Sequence, residues 1–387
     1  MLESRWQRWL GTGVIALVAA GSVVSTAAGA GQRPWKAAAC ADGPGVRTEA
    51  ARSVGQIGLG DLRTQPWFRQ DPRLDRAGAL QGQRLALGLD GERSSRILDL
   101  PAESFAAGPF GRVVLIGSDD GTSSRLSALD VTGECAWSLA EEADAVIRRA
   151  TIDPTGETVY EMRVDRATRD DLGIWARPLD GTAPARRVVD PIEIDERFGR
   201  TYSTELSWDL AGERLAIQSC GELACRTRVF DPAGGPLQTV VDVDLGTIVG
   251  VSDDVLVSYS ACRGWPCPVV STSIGTGEKR IVAEAAAVAV LTTTPGGPRL
   301  VHEVLGETGV SLLATSLDGA TTTDLGRVQG GHRLHAASAV AESATEIPTG
   351  WVLVGPEGRF PDTGPTAQTE LRHVEGGITL QFVEVAQ

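Results

Sequence analysis

What most constrains this chain is a turn that keeps returning. It occurs at Leu89-Asp90-Gly91, Leu129-Asp130, Leu179-Asp180-Gly181, Phe230-Asp231-Pro232, Ile274-Gly275-Thr276 and Leu317-Asp318-Gly319. A looser copy is Val374-Glu375-Gly376-Gly377, and successive copies are 40 to 57 residues apart. Apolar or β-branched runs of strand length flank each turn, and no amphipathic pattern longer than two helical turns interrupts them from about Gly82 onward. A second set of turns precedes the first: Asp153-Pro154-Thr155-Gly156, Asp209-Leu210-Ala211-Gly212, Ser252-Asp253-Asp254 and Thr294-Pro295-Gly296-Gly297. Proline presets φ and glycine tolerates positive φ, so each allows a tight reversal between strands.

A strand follows each of these earlier turns, at Thr158 to Arg163, Arg214 to Ser219, Val255 to Tyr259 and Arg299 to Val304. The repeating unit is therefore strand, turn, strand, hairpin loop, strand, Asp-Gly turn, strand. Its length brackets that of one four-stranded propeller blade. The expected fold is all-β, a β-propeller of four-stranded antiparallel blades, with seven turns pointing to seven blades. Residues 1–30 read as a leader, 31–50 as a lead segment and 51–387 as one propeller domain. Seven blades require Arg63 to Arg84 to supply the inner strands of the first. If they form a loop instead, the strands around Leu85–Leu89 and Arg96–Leu100 close a six-bladed ring against the C-terminal blade.

The best-formed repeat runs Ala150-Thr151-Ile152-Asp153-Pro154-Thr155-Gly156, then Val159-Tyr160, then Gly173-Ile174-Trp175-Ala176-Arg177-Pro178-Leu179-Asp180-Gly181. The next copy reads Leu206-Ser207-Trp208-Asp209-Leu210-Ala211-Gly212-Glu213-Arg214-Leu215-Ala216. Over about 150–235 the chain resembles the WD40-like (PD40) blades of TolB-type propellers. The resemblance implies the fold and not the role of TolB.

The N-terminus reads as an export address. Arg5 and Arg8 precede an uncharged run of 19 residues, Leu10 to Ala28, which ends at Ala28-Gly29-Ala30, a small-x-small site of the kind signal peptidases cut. The run is rich in Gly, Ala, Ser and Thr rather than Leu, which favours a cleaved signal peptide. The alternative is a single retained membrane anchor, since about 20 residues span a bilayer. A lipoprotein reading of Cys40 is weaker, because Pro34, Trp35 and Lys36 separate it from the apolar run.

The cysteines agree with export. Cys220 and Cys225 enclose four residues, and so do Cys262 and Cys267, 42 positions later. Four cysteines could hold zinc, but two like loops between alternating apolar segments fit hairpin disulfides in an oxidising compartment better. Each would close a small ring, stabilising by about 2 kcal/mol through chain entropy. By elimination Cys40 pairs with Cys135.

Composition narrows the function classes. Hydrophobic residues make up 42% and charged residues 22%, which excludes wholesale disorder and a multi-span membrane protein. With 36 basic against 50 acidic residues the formal charge is −14, which repels phosphate backbones and argues against a nucleic-acid partner. Trp, Tyr and Phe number only 9, 3 and 7, too few to suggest stacking platforms.

Linear motifs of catalysis are absent: no G-x-S-x-G, H-E-x-x-H, P-loop or G-x-G-x-x-G. Gly117-Ser118-Asp119-Asp120-Gly121 reads as a polar hairpin. His332 and His335 read as surface loop histidines, and Asp170-Asp171 and Asp242/Asp244 as solvated charge. In a propeller the loops between second and third strands share an end with the blade-to-blade connections, and that end usually surrounds the ligand. The candidate binding residues gather there: Trp265 and Arg263 in one cysteine-flanked loop, Glu222 in the other, and Arg197, Arg200 and Tyr202 in the connection from Asp190 to Thr204. The charged loop Asp165–Asp171 joins them. A pre-organised loop loses less entropy on binding. The expectation is an exported binding or scaffold propeller, without catalytic residues or a cofactor, for a protein or envelope-associated ligand. The competing expectation is a hydrolase or lyase whose channel site draws on several blades, invisible to linear motifs.

Overall fold

The computed structural model describes residues 38–40, 52–53, 83–89, 96–100, 103–110, 113–130, 135–153, 156–191, 202–209, 213–220, 225–232, 238–242, 246–260, 266–294, 296–307, 309–328, 332–339, 346–347, 349–354 and 377–383. All belong to one compact unit, Trp35–Gln387. Four strands come first: β1 (Ala38–Ala39), β2 (Arg52–Ser53), β3 (Gln83–Leu89) and β4 (Arg96–Leu100). Five consecutive antiparallel sheets follow. The first holds β5 (Glu103–Phe110), β6 (Val113–Asp119), β7 (Ser124–Asp130) and β8 (Cys135–Glu142), and the second β9 (Ala145–Ile152), β10 (Thr158–Asp165), β11 (Asp171–Pro178) and β12 (Arg186–Val189). The third holds β13 (Tyr202–Trp208), β14 (Leu215–Cys220), β15 (Cys225–Phe230) and β16 (Gln238–Asp242). The fourth is β17 (Ile248–Ser252), β18 (Val255–Tyr259), β19 (Cys267–Ser273) and β20 (Lys279–Ala286), and the fifth β21 (Ala289–Thr294), β22 (Gly297–Gly306), β23 (Gly309–Ser316) and β24 (Thr322–Val328). The chain ends with β25 (Arg333–Ala339), β26 (Glu346–Ile347), β27 (Thr349–Val354) and β28 (Gly377–Val383).

Within each consecutive sheet, strands pair in sequence order. The first strand of each sheet stands beside the first strand of the next, β5 by β9, β9 by β13, β13 by β17 and β17 by β21. Then β21 meets β25 and β27, and β25 and β28 return to β5, so the series closes on itself. This is a β-propeller. The closing sheet has the order β27-β25-β28-β3-β4, in which β28 pairs β3 from Ile378 opposite Leu89 to Val383 opposite Arg84. β3 and β4 thus share one sheet with the C-terminal strands, the pairing that the six-bladed alternative requires. Of the segment Arg63 to Arg84, expected to carry inner strands of a seventh blade, residues 63–82 lie outside the described residues and Gln83 and Arg84 begin β3.

The two sets of sequence turns fall where the repeat placed them. Asp130, Asp180, Asp231, Gly275 and Asp318 each join the third strand of a sheet to its fourth, while Asp153, Asp209, Asp253 and Thr294 join the first to the second. Because neighbouring strands run antiparallel, both sets emerge at one end of the ring. Second-to-third loops and sheet-to-sheet connections emerge at the other. The chemistry of the turns is local. Asp153 Oδ1 accepts from the amides of Glu157 (2.8 Å) and Thr158 (3.0 Å), and Asp209 Oδ1 does the same for Glu213 (2.8 Å) and Arg214 (3.2 Å). Gly181 and Gly319 take φ of 71° and 72°, a region that side chains resist.

The core lies between sheets rather than inside one. Leu115, Leu126 and Leu139 of the first sheet pack on Ile147, Ile152 and Val159 of the second, whose opposite face sends Tyr160, Met162 and Ile174 against Leu206, Trp208, Leu215 and Ile217 of the third. A sheet sandwiched in this way is buried on both faces. That is why β10 and β14 are buried almost throughout instead of alternating, whereas the outermost β12 and β24 are largely exposed. Each fully buried Leu or Ile contributes about 1.5–3 kcal/mol. The outer edge of the first sheet is covered by β1, parallel to β8, and the Cys40–Cys135 disulfide holds it there.

His302 on β22 gives the fold a pH response. It is 3% exposed, its Nε2 bonds Thr315 Oγ1 at 3.1 Å, and burial lowers its pKa from 6.5 to about 4. The unfolded chain therefore binds the proton first. The stabilisation from keeping His302 neutral is complete above about pH 6.5 and is lost as pH falls toward 4, by about 3 kcal/mol. Urea unfolding of wild type and His302→Gln at pH 7 and pH 5 should show a smaller acid loss in the variant. Equal losses would remove His302 from the account.

Candidate functional site

The end of the ring bearing second-to-third loops is the candidate site, and its described part is tightly built. In the β6–β7 loop, Asp120 Oδ1 accepts from the amides of Thr122 (2.9 Å) and Ser123 (2.8 Å) and from Thr122 Oγ1 (2.7 Å). These bonds, the Thr122 hydroxyl foremost, hold its carboxyl well below the usual range. In the β10–β11 loop, Asp165 Oδ1 accepts from the amides of Ala167 (2.9 Å) and Thr168 (2.7 Å), which lowers its pKa too. Between them Arg166 reaches back to the preceding sheet. Its Nη1 and Nη2 fork onto Asp119 at 3.0 and 2.9 Å, and its Nε donates to the Ala143 carbonyl at 2.6 Å. A bidentate pair of this kind fixes geometry as well as adding energy. Within the Asp165–Asp171 loop, Asp165 caps the loop and Arg166 joins two blades, while Arg169 and Asp170 are exposed. Asp171 is buried at 9% exposure, which corrects its reading as solvated charge.

The inner strands add a second feature. Register shifts bulge β9 at Arg148, β13 at Thr204 and β17 at Val249, near their ends toward the candidate site. A bulge re-aims the side chains beside it. Here it places Arg149 of β9 against Glu205 of β13, Nε to Oε2 3.8 Å. Burial raises the Glu205 pKa, and Arg149 opposes the shift. On the far side of the ring Glu303 is fully buried, accepts from the Leu334 amide at 2.5 Å and pairs with Arg333 at 3.3 Å. These acids are each matched to an arginine rather than to one another.

Of the residues nominated from sequence, Arg197, Arg200, Glu222, Arg263 and Trp265 lie outside the described residues, and Tyr202 is described only as the first residue of β13. Cys220 ends β14 and Cys267 begins β19, so both cysteine-flanked loops do join second to third strands, at the candidate end. Both sulfurs are disulfide-bonded, and the register sets Cys220 opposite Cys225. The histidine reading is corrected: His335 lies within strand β25 and is buried at 6% exposure. His332 lies just before β25 and is partly buried. Among the described residues no group of three or more His, Cys, Asp or Glu could hold a metal ion, and no helix is long and apolar enough to cross a membrane.

Sequence reasoning also missed a buried ion network between the first two sheets. Glu161 of β10 is fully buried and accepts from Arg163 Nε (2.9 Å) and Nη2 (2.7 Å) and from Arg177 Nε. Both guanidinium groups also reach Glu142 of β8, at 2.9 and 3.3 Å, and Arg163 lies over the Trp175 ring, 4.6 Å from its centroid. The only signal was charge at alternating positions, Glu161, Arg163 and Arg177, on strands that otherwise read as core.

The architecture defines the class, an all-β propeller. No protein-family model matches the sequence, and no curated protein does. Some solved structures are similar to parts of this chain. TolB from Acinetobacter baumannii is 14% identical, with a TM-score of 0.40 over 70% of this chain and 66% of that one, so the chain spans just under two thirds of its length. A prolyl endopeptidase is 14% identical, with a TM-score of 0.45 over 74% of this chain and 50% of that one. An oligogalacturonate lyase solved with manganese is 14% identical, with a TM-score of 0.41 over 58% and 72%. Strand pairing, not these likenesses, carries the fold assignment.

Proposed function

We propose that this chain is an exported propeller that binds a protein or envelope-associated ligand through the end of the ring bearing its second-to-third loops, without performing chemistry itself. The supporting observation is that Cys220 and Cys267, both disulfide-bonded, flank two loops at that one end. Disulfides belong to oxidising compartments, which also fits the leader-like N-terminus. Pairing within each loop, Cys220 with Cys225 and Cys262 with Cys267, would pre-organise both for binding.

Trp265 tests the reading. A residue at the tip of a four-residue loop generally has few neighbours to bury it, and an indole that is exposed on a rigid loop would offer large contact area with two torsions to immobilise. Wild-type protein and Trp265→Ala should be used side by side to capture partners from envelope extract, and the recovered partner titrated calorimetrically. The variant is expected to bind about 30-fold more weakly, or about 2 kcal/mol, with its melting temperature unchanged. A melting temperature lowered by several degrees with affinity intact would make Trp265 a core residue and end the anchor reading.

A further inference from the structure

Between the second and third sheets lies a polar group of residues on β14 and β15. On β14 and β15 three cross-strand pairs stand in unbroken register: Leu215 opposite Phe230, Ile217 opposite Arg228 and Ser219 opposite Arg226. Directly opposed residues in a sheet share a face. Leu215, Ile217 and Phe230 pack with Tyr160, Met162, Ile174 and Ala176 of the second sheet, which settles the face: Ser219, Arg226 and Arg228 look the same way.

Two of these groups lack partners. Ser219 is 2% exposed, and among the described residues its Oγ meets no hydrogen-bond partner. The Nε of Arg228 is likewise buried without one. Buried donors left in this condition are costly, and native structures rarely keep them without a reason. The electrostatics agree. Burial and the neighbouring Arg226 both disfavour the charge on Arg228, and Asp171 across the crevice is the acid that favours it. Both arginines are only partly buried, so solvent reaches the crevice. The other residues there, Tyr160, Met162, Ile174, Leu206 and Trp208, form an apolar floor that strengthens any charge interaction above it.

We propose that Arg228, Arg226 and Ser219 form a binding site for a compact oxyanion, with the Arg228 guanidinium and the Ser219 hydroxyl as donors and Arg226 supplying further positive charge. Fixed donors on a paired strand, in a crevice of low dielectric, are the ingredients of such a site in a protein whose overall charge of −14 would otherwise repel anions. The site stands between blades, so it does not depend on what the loops bind.

The test uses the whole protein and two probes, inorganic phosphate and acetate, each titrated at constant ionic strength against chloride and followed by melting temperature and calorimetry. Saturable stabilisation by at least one probe is expected. Arg228→Met, which keeps the aliphatic stem, should weaken that binding about tenfold or more, as loss of a charge-assisted hydrogen bond does. Ser219→Ala, a small deletion that leaves the fold intact, should weaken it by a smaller factor. Preference for one probe assigns the anion class. Absence of a saturable response in wild type, or a response that both variants retain in full, overturns the site.

Discussion

Replacing Glu161 by alanine is expected to destabilise the protein by about 4 kcal/mol, because it strands two arginines between the first two sheets with too little negative charge beside them. Glu161 has no exposed surface, and the side chains of Arg163 and Arg177 are each 6% exposed. Glu142, the other carboxylate in reach, is 30% exposed and meets them with one oxygen, Oε1. The arginines cannot shed their protons, so the cost of desolvation falls wholly on the fold. The comparison that isolates this effect is a triple variant, Glu161→Leu with Arg163→Met and Arg177→Met. Removing all three charges together should recover most of the loss, since apolar replacement of a buried ion network is often neutral or better. Urea unfolding of wild type, single and triple variants reads both effects. A single variant within about 1 kcal/mol of wild type would mean that water or rearrangement compensates the arginines, and the network would then have no structural weight.

Trp351→Ala is expected to cost about 4 kcal/mol by a different route, the loss of a large buried side chain and the cavity it leaves. Trp351 is completely buried on β27, among Val290, Val301, Leu312, Leu334 and Leu353. Those partners belong to the fifth sheet and to the closing sheet, in which β3 and β4 meet the C-terminal strands. The consequence should therefore be local as well as global. Amide exchange is expected to speed up first in β25 and β27, ahead of β10 and β14, where the closure is lost before the body unfolds. Uniform loss of protection across all sheets would show that closure and body unfold as one unit.

Much of the fold was legible because propeller blades are built from local events. A turn such as Asp153 to Thr158 is held by one carboxylate and amides four and five residues ahead, so its residues are visible in a window of six. Hairpins within a sheet join neighbours in sequence, and the order strand, turn, strand, loop, strand, turn, strand passed directly into strand pairing. The candidate site was legible only as a place. The repeat located the second-to-third loops at one end, but it could not say that Arg166 would reach back 47 residues to grip Asp119. Nor could it say that Asp171 would be buried, because a charge in a polar loop looks the same in sequence whether it meets water or an arginine from another blade.

The sequence by itself determined the repeat: the turn residues, the strand lengths between them, the all-β class and the end of each blade at which its long loops emerge. Each of these depends on backbone conformations and hydrogen bonds that close within a few residues. Tertiary structure alone decided how the series closes, with β28 beside β3 across most of the chain. It also decided which charged strand positions would be buried. Glu161, Arg163 and Arg177 sit on strands whose pattern reads as ordinary alternation, and their burial follows only from the neighbouring sheet laid over them. The same holds for Ser219, Arg226 and Arg228, whose shared face becomes a crevice because another blade stands opposite. Contacts between blades join residues tens of positions apart, and no local propensity encodes which pairs will meet.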